Sequence, residues 1–173
     1  TNEMLTSYPG ADGVKTGYTG KAGRCLITSA TRDGRRFISV VLYCDSREQR
    51  AMSSKKILDY AFSQYYPHTV IKSEYMGTLP VIKGFEETVP IYVEKTITMP
   101  LSDSEAENLY TKISLPEYVY APVSEKTPVG TLSVYLGDEI LCESPIRAGK
   151  SVKQKTVLQH LIDVFIEWMK LVK

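Results

Sequence analysis

Four residues, Arg32-Asp33-Gly34-Arg35, narrow the folding options of this chain more than any others. They separate two β-prone runs, residues 25–31 and 36–43. Asp-Gly between such runs marks a tight hairpin, so the two must pair antiparallel. Residues 14–19 precede them, with Gly20-Lys21-Ala22-Gly23 as a further turn. The prediction for residues 14–43 is a three-stranded antiparallel meander. Residues 1–10 read as a loop closed by Pro9-Gly10. A helix is expected next. Ser46 is its N-cap, Glu48 and Gln49 occupy the first turn, and Met52, Ile57, Leu58, Ala61 and Phe62 recur at helical spacing. Pro67 marks its end.

Beyond residue 69 the texture changes. Short β-prone runs at 69–71, 89–93, 96–99, 109–115, 130–136 and 139–142 are cut by Gly and Pro, and Leu136-Gly137-Asp138-Glu139 is another tight hairpin. Many short strands at close spacing predict a small β-sandwich. Residues 156–173 predict a final helix. Its apolar residues, from Val157 through Phe165 and Trp168 to Val172, leave Gln159, Asp163, Glu167 and Lys170 as a narrow polar stripe. Two roles stay open for it: packing onto a core, or lying on a membrane surface, where Phe165 and Trp168 suit the headgroup boundary.

Composition excludes several classes. The 173 residues are 43% hydrophobic and 24% charged, which is globular, and the 12 tyrosines favour β structure. A net charge of +1 gives no footprint for nucleic acid. Cys25, Cys44 and Cys142 are odd in number and far apart, so they form no disulfide framework or zinc site and read as small core side chains. With only His68 and His160 and no paired spacing, no metal or other cofactor is expected.

The chemistry-bearing motif is Lys15-Thr16-Gly17, within Asp12-Gly13-Val14-Lys15-Thr16-Gly17-Tyr18-Thr19. Alone it is a charged strand end. Its context is Ala22-Gly23, Ser29-Ala30-Thr31, a strand ending at Leu42, and Arg47-Glu48 opening a helix that contains Ser54-Lys55-Lys56-Ile57-Leu58. Together these resemble the low-molecular-mass D-alanyl-D-alanine carboxypeptidases of the penicillin-binding serine peptidases, whose third active-site motif is Lys-Thr-Gly on the strand beside the cleft. The resemblance is specific over residues 12–62 and architectural after Pro67.

That resemblance implies an α+β chain. Residues 1–66 are the C-terminal part of a serine β-lactamase/penicillin-binding-like domain, with antiparallel strands plus a helix. Residues 67–150 are an accessory all-β sandwich, and 151–173 a membrane-associating amphipathic helix. It implies catalytic assistance from the Lys15 ammonium, and substrate binding by Lys15, Thr16, Gly17 and Arg47. Glycine lets an extended peptide approach the strand, and a guanidinium fork suits a terminal carboxylate. The plain alternative for Arg47 is an exposed helix-start arginine.

The family's Ser-x-Asn is absent, and the one Ser-x-x-Lys, Ser53-Ser54-Lys55-Lys56, follows Lys-Thr-Gly instead of preceding it. It reads as a solvated helix face. The implied reaction is removal of the terminal D-alanine from peptidoglycan pentapeptides through an acyl-serine, which β-lactams also acylate. The 173 residues alone are expected to be inactive. Location on the outer face of the bacterial cytoplasmic membrane is implied, and self-association is expected from an uncovered sheet. The rival reading is a non-catalytic module that positions a partner at the membrane.

Overall fold

A computed structural model describes residues 2–171, the side chains of Glu167 and Leu171 aside. Thr1, Val172 and Lys173, which belonged to the expected opening loop and tail helix, lie outside the described residues, as do the side chains of Glu167 and Leu171. The chain divides into two compact units, one built from residues up to His68 with Met99–Glu107, the other from Thr69–Thr98 and the residues from Asn108 onward.

The first unit opens with α1 (Met4–Ser7), one helical turn where a loop was expected. The correction has a clear cause. Met4 is fully buried and Tyr8 nearly so, and both join Leu26, Ala30, Leu58 and Phe62 in one core, so packing holds a turn that propensity alone would not. Three antiparallel strands follow, β1 (Ala11–Thr19), β2 (Gly23–Arg32) and β3 (Arg35–Cys44). The hairpin lies where Asp33-Gly34 placed it, with Arg32 opposite Arg35 and both turn residues at positive φ, 50° and 74°.

Helix α2 (Arg47–Gln64) is capped by the Ser46 hydroxyl, which accepts the Gln49 N–H at 3.0 Å. It packs on β2 and β3. Its buried stripe is Arg50, Ser54, Leu58 and Phe62, spaced by four. Met52 and Ile57, expected to join the apolar face, are exposed. The stripe includes two polar residues because each finds a partner. Ser54 Oγ lies 2.6 Å from Ser39 Oγ. Ser54 is therefore buried, which corrects the reading of Ser53–Lys56 as a wholly solvated face. Lys56 is exposed, and no hydrogen bond joins it to Ser53 among the described residues.

Strands β4 (Tyr66–Ile71) and β7 (Ile97–Leu101) form a separate two-stranded ribbon, and α3 (Asp103–Glu107) is a short helix after it. In the second unit β5 (Glu74–Ile82), β6 (Thr88–Val93), β8 (Leu109–Ser114), β9 (Val119–Tyr120), β10 (Pro128–Leu136) and β11 (Glu139–Ala148) hydrogen-bond into one six-stranded sheet, in the order β8-β10-β11-β6-β5-β9. The β-rich character is as expected. Of the strands anticipated as a sandwich, those at 89–93, 109–115, 130–136 and 139–142 lie in this sheet and those at 69–71 and 96–99 in the β4–β7 ribbon; the inward side chains, among them Val89, Ile91, Val93, Val134 and Ile146, make a single core. Strand β5 and helix α3 were not anticipated. Gly77 and Pro80 interrupt the β pattern of β5, although Leu79 and Val81 alternate inward.

The tail forms α4 (Val157–Leu171). Thr156 and Gln159 cap it reciprocally: Thr156 N–H donates to Gln159 Oε1 at 2.8 Å, and Gln159 N–H to Thr156 Oγ1 at 3.4 Å. Leu158, Leu161, Phe165 and Trp168 are exposed on it. Among the described residues no helix is long and apolar enough to cross a membrane.

Candidate functional site

Lys15, Thr16 and Gly17 lie mid-strand in β1, opposite Ile27, Leu26 and Cys25 of β2. Strand β1 borders the three-stranded sheet and pairs with β2 alone, so its outer backbone edge carries no strand among the described residues. Two side chains organise its start. The register shifts between Ala11 and Gly13, leaving Asp12 as a bulge residue. The Asp12 carboxylate accepts from the Ser29 hydroxyl, from Thr31 Oγ1 at 2.9 Å and from Arg36 at 3.3 Å. These bonds, that of Ser29 foremost, hold its carboxyl below the ordinary aspartate value. Asn2 Nδ2 donates to Gly13 O at 2.9 Å. The strand is thus tied to β2, β3 and the segment leading into α1 just before the motif.

Strand alternation then divides the motif. Lys15 shares a face with Ile27 and Val40, and Thr16 shares the opposite, helix-covered face with Leu26 and Val41. Lys15 is exposed and its ammonium donates to Thr16 O at 2.9 Å. Thr16 is half-buried. A Cβ added at Gly17 would meet only Cys25 Cβ, at 3.7 Å, an ordinary contact. Internal packing therefore does not demand glycine at 17.

Arg47, at the first position of α2, is exposed and opens onto a recess of about 520 Å³ with Asn2, Glu3, Leu5, Thr6, Glu48 and Ala51. That lining includes none of Lys15, Thr16 and Gly17. The structure thus places the three motif residues together on one strand and Arg47 at a neighbouring recess.

Sequence reasoning missed the pair behind this recess. Arg50, 4% exposed, donates to Glu3 through Nε at 3.0 Å and a terminal nitrogen at 2.7 Å, and to Cys25 O at 3.4 Å. The bidentate bond holds the Glu3 carboxyl below its usual range. No local signal reveals it, because the partners are far apart in sequence. Asp12 was quoted as part of the motif's lead-in without a role, and its neighbours Ser29, Thr31 and Arg36 become legible only with the register. All three cysteines are unpaired thiols; Cys44 is buried, whereas Cys25 and Cys142 are half-buried.

Comparison with known proteins matches this geometry to one family. Residues 65–154 match the family described as Penicillin-binding protein 5, C-terminal domain, and residues 1–46 match the D-alanyl-D-alanine carboxypeptidase family. The D-alanyl-D-alanine carboxypeptidase DacF of Bacillus subtilis is 33% identical over 172 residues, covering 98% of this chain and 44% of its own length. DacD of Escherichia coli is 29% identical over 156 residues, 89% of this chain and 40% of its own. The crystal structure of the carboxypeptidase DacD from Francisella tularensis superposes with a TM-score of 0.59 at 33% identity, covering 89% of this chain and 39% of that one. The chain thus spans under half the length of the curated relatives it matches. It belongs to the D-alanyl-D-alanine carboxypeptidase family of penicillin-binding proteins and carries that family's C-terminal domain.

Proposed function

We propose that this chain is part of a serine D-alanyl-D-alanine carboxypeptidase and supplies one wall of its cleft. The observation that carries the reading is β1 at Gly17. The strand edge carries no strand among the described residues, and glycine stands where the molecule's own packing leaves room for a side chain. A glycine not required internally fits a strand that must be approached closely from outside, as when a peptide adds to its edge. In this reading Lys15 favours the deprotonated nucleophile and assists proton transfer. Thr16 and Arg47 hold the carboxylate of the D-alanyl-D-alanine terminus. The acylated serine comes from a segment outside these 173 residues, and β-lactams acylate the same serine.

Residues 1–66 then belong to the catalytic domain, 67–150 to an accessory β-domain and 151–173 to a peripheral anchor on the outer face of the cytoplasmic membrane. The exposed apolar side of α4 supports the last assignment. It also favours a second reading, a non-catalytic module holding a partner at the membrane.

Fluorescent penicillin tests the first reading. A polypeptide extended upstream to family length is expected to be labelled covalently, and G17V in it should fold yet lose at least tenfold in labelling rate. The 173-residue chain is expected to stay unlabelled. Label retained on it through denaturation refutes the division of roles, and an unlabelled extended polypeptide refutes the carboxypeptidase reading. For the module reading, vesicle binding should survive removal of residues 1–66 and vanish on removal of 157–173.

A further inference from the structure

The outward face of the six-stranded sheet carries a row of side chains that the reaction above does not use. Tyr75 of β5 stands opposite Tyr92 of β6, and Tyr92 stands opposite Arg147 of β11. The two rings are 5.4 Å apart and exposed, 57% for Tyr75 and 40% for Tyr92. Beside them lies a recess of about 290 Å³ that includes Tyr92, Glu94, Lys126, Arg147 and Gly149. A second recess, of about 350 Å³, adjoins it and shares Glu94 and Arg147. Arg147 Nε lies 2.8 Å from Glu94 Oε2, and another of its nitrogens donates to Lys126 O at 2.7 Å. Gly149 is needed here, since a Cβ on it would sit 2.3 Å from Cε2 of Tyr92. The chain thus gives up a side chain to seat that ring.

The geometry points to a saccharide site, with Tyr92 as the stacking platform and the Glu94–Arg147 pair as the hydroxyl reader. Three observations select the ligand class. Strand β6 lies between β11 and β5, and β11 between β10 and β6, so neither has an edge for a peptide strand and the ligand is met by side chains on the face. The arginine and glutamate neutralise each other, so the recess has no unbalanced charge to draw an ion, yet it offers donors and acceptors side by side, as sugar hydroxyls require. The exposed ring provides an apolar face for the C–H side of a pyranose. Two adjoining recesses fit consecutive sugar units. Of the other tyrosine pairs, Tyr110 with the half-buried Tyr135 is a poorer platform because the Lys112 ammonium already lies 4.6 Å from the Tyr135 centroid, and Tyr118 with Tyr120 lines neither recess. None of these residues belongs to β1, so this site stands or falls apart from the carboxypeptidase reading.

The test is an amide NMR titration of the 173-residue chain with a β-1,4-linked N-acetylglucosamine tetramer. Saturable shifts are expected around Tyr92, Arg147 and Gly149. Y92A and G149A should each weaken binding at least tenfold, Y92F less than threefold, and E94Q, which keeps the ring, about fivefold. A spectrum unchanged at the highest tetramer concentration overturns the proposal. So does equal affinity in E94Q and the parent chain, or saturable shifts of the same amides by a D-alanyl-D-alanine peptide in place of the saccharide.

Discussion

The two units are held together by different means. In the second, Val89, Val93, Val134 and Ile146 are at most 1% exposed and surround one core, and burial there is non-directional. In the first, helix α2 covers one face of a three-stranded sheet, while Ile38, Val40 and Leu42 on the other are 62%, 54% and 66% exposed. Buried polar ties make up part of the difference: Glu3 to Arg50, Arg50 to Cys25 O, and Ser39 to Ser54. The unit with the Lys-Thr-Gly strand depends on specific geometry, and the unit without it on apolar area. The uncovered face, and a β1 edge that carries no strand among the described residues, fit the proposed role of a cleft wall and deprive that unit of apolar cover.

The largest expected effect tests the apolar side of this contrast. I146A deletes a fully buried side chain from the second core and should cost about 4 kcal/mol, transfer and cavity together. Urea unfolding followed by amide exchange in β6 and β11 measures it. E3A is the counterpart. It strands the Arg50 guanidinium without its carboxylate and should cost about 3 kcal/mol, read from exchange in β2 and α2. If E3A costs less than about 0.5 kcal/mol, polar ties do not hold the first unit and the contrast fails.

Acid sharpens the same point. Glu3 is held low by Arg50, Asp12 by Ser29, and Glu105 by the Ser102 N–H and hydroxyl. All three lie in the first unit. A carboxyl with its folded pKa below the unfolded value of 4.5 for Glu or 3.8 for Asp stabilises the fold above that value. The contribution is lost as pH falls through the folded value. Amides of β1 and β2 should therefore lose protection as pH drops below the ordinary carboxylate range. At the other extreme, burial and the Asp59 carboxylate raise the Tyr8 hydroxyl from 10.0 to about 12. That contribution is present below pH 10 and lost as pH rises towards 12. A protection profile flat below pH 4 contradicts the polar account.

Much of this was legible in the sequence, and the reason is locality. The Asp33-Gly34 turn, the Ser46 cap and the motif strand each depend on residues within a few positions of one another. S46A should cost about 1 kcal/mol by thermal unfolding, because the Gln49 N–H loses its acceptor. What stayed hidden was non-local. The α2 stripe is read wrongly from hydrophobicity because Arg50 and Ser54 point inward and Met52 and Ile57 outward, an outcome decided by Glu3 and Ser39 elsewhere in the chain. Helix α1 exists because Met4 has a core to enter. At the candidate site, the sharing of one strand by Lys15, Thr16 and Gly17 was readable, and so was their alternation. The recess that Arg47 faces was not, since Asn2, Glu3, Leu5 and Thr6, in and just before α1, line one side of it.

The smallest stability effect carries the sharpest test of the open face. Ile38 of β3 has the same side chain as Ile146 of β11 but is largely exposed, so I38T should change stability by less than about 0.5 kcal/mol if the face meets water. Exposed contiguous apolar side chains seek cover, and Ile27 of β2 with Ile38, Val40 and Leu42 of β3 form such a group. In concentrated solution a second copy is the available cover, so the chain should self-associate. The double variant I38T/V40T should then shift it towards monomer by light scattering at an almost unchanged melting temperature. A parent chain monomeric at high concentration removes the reason to expect that shift. A large stability loss in I38T would mean that the face is covered within a single chain, and the contrast between the two units would then rest on the polar ties alone.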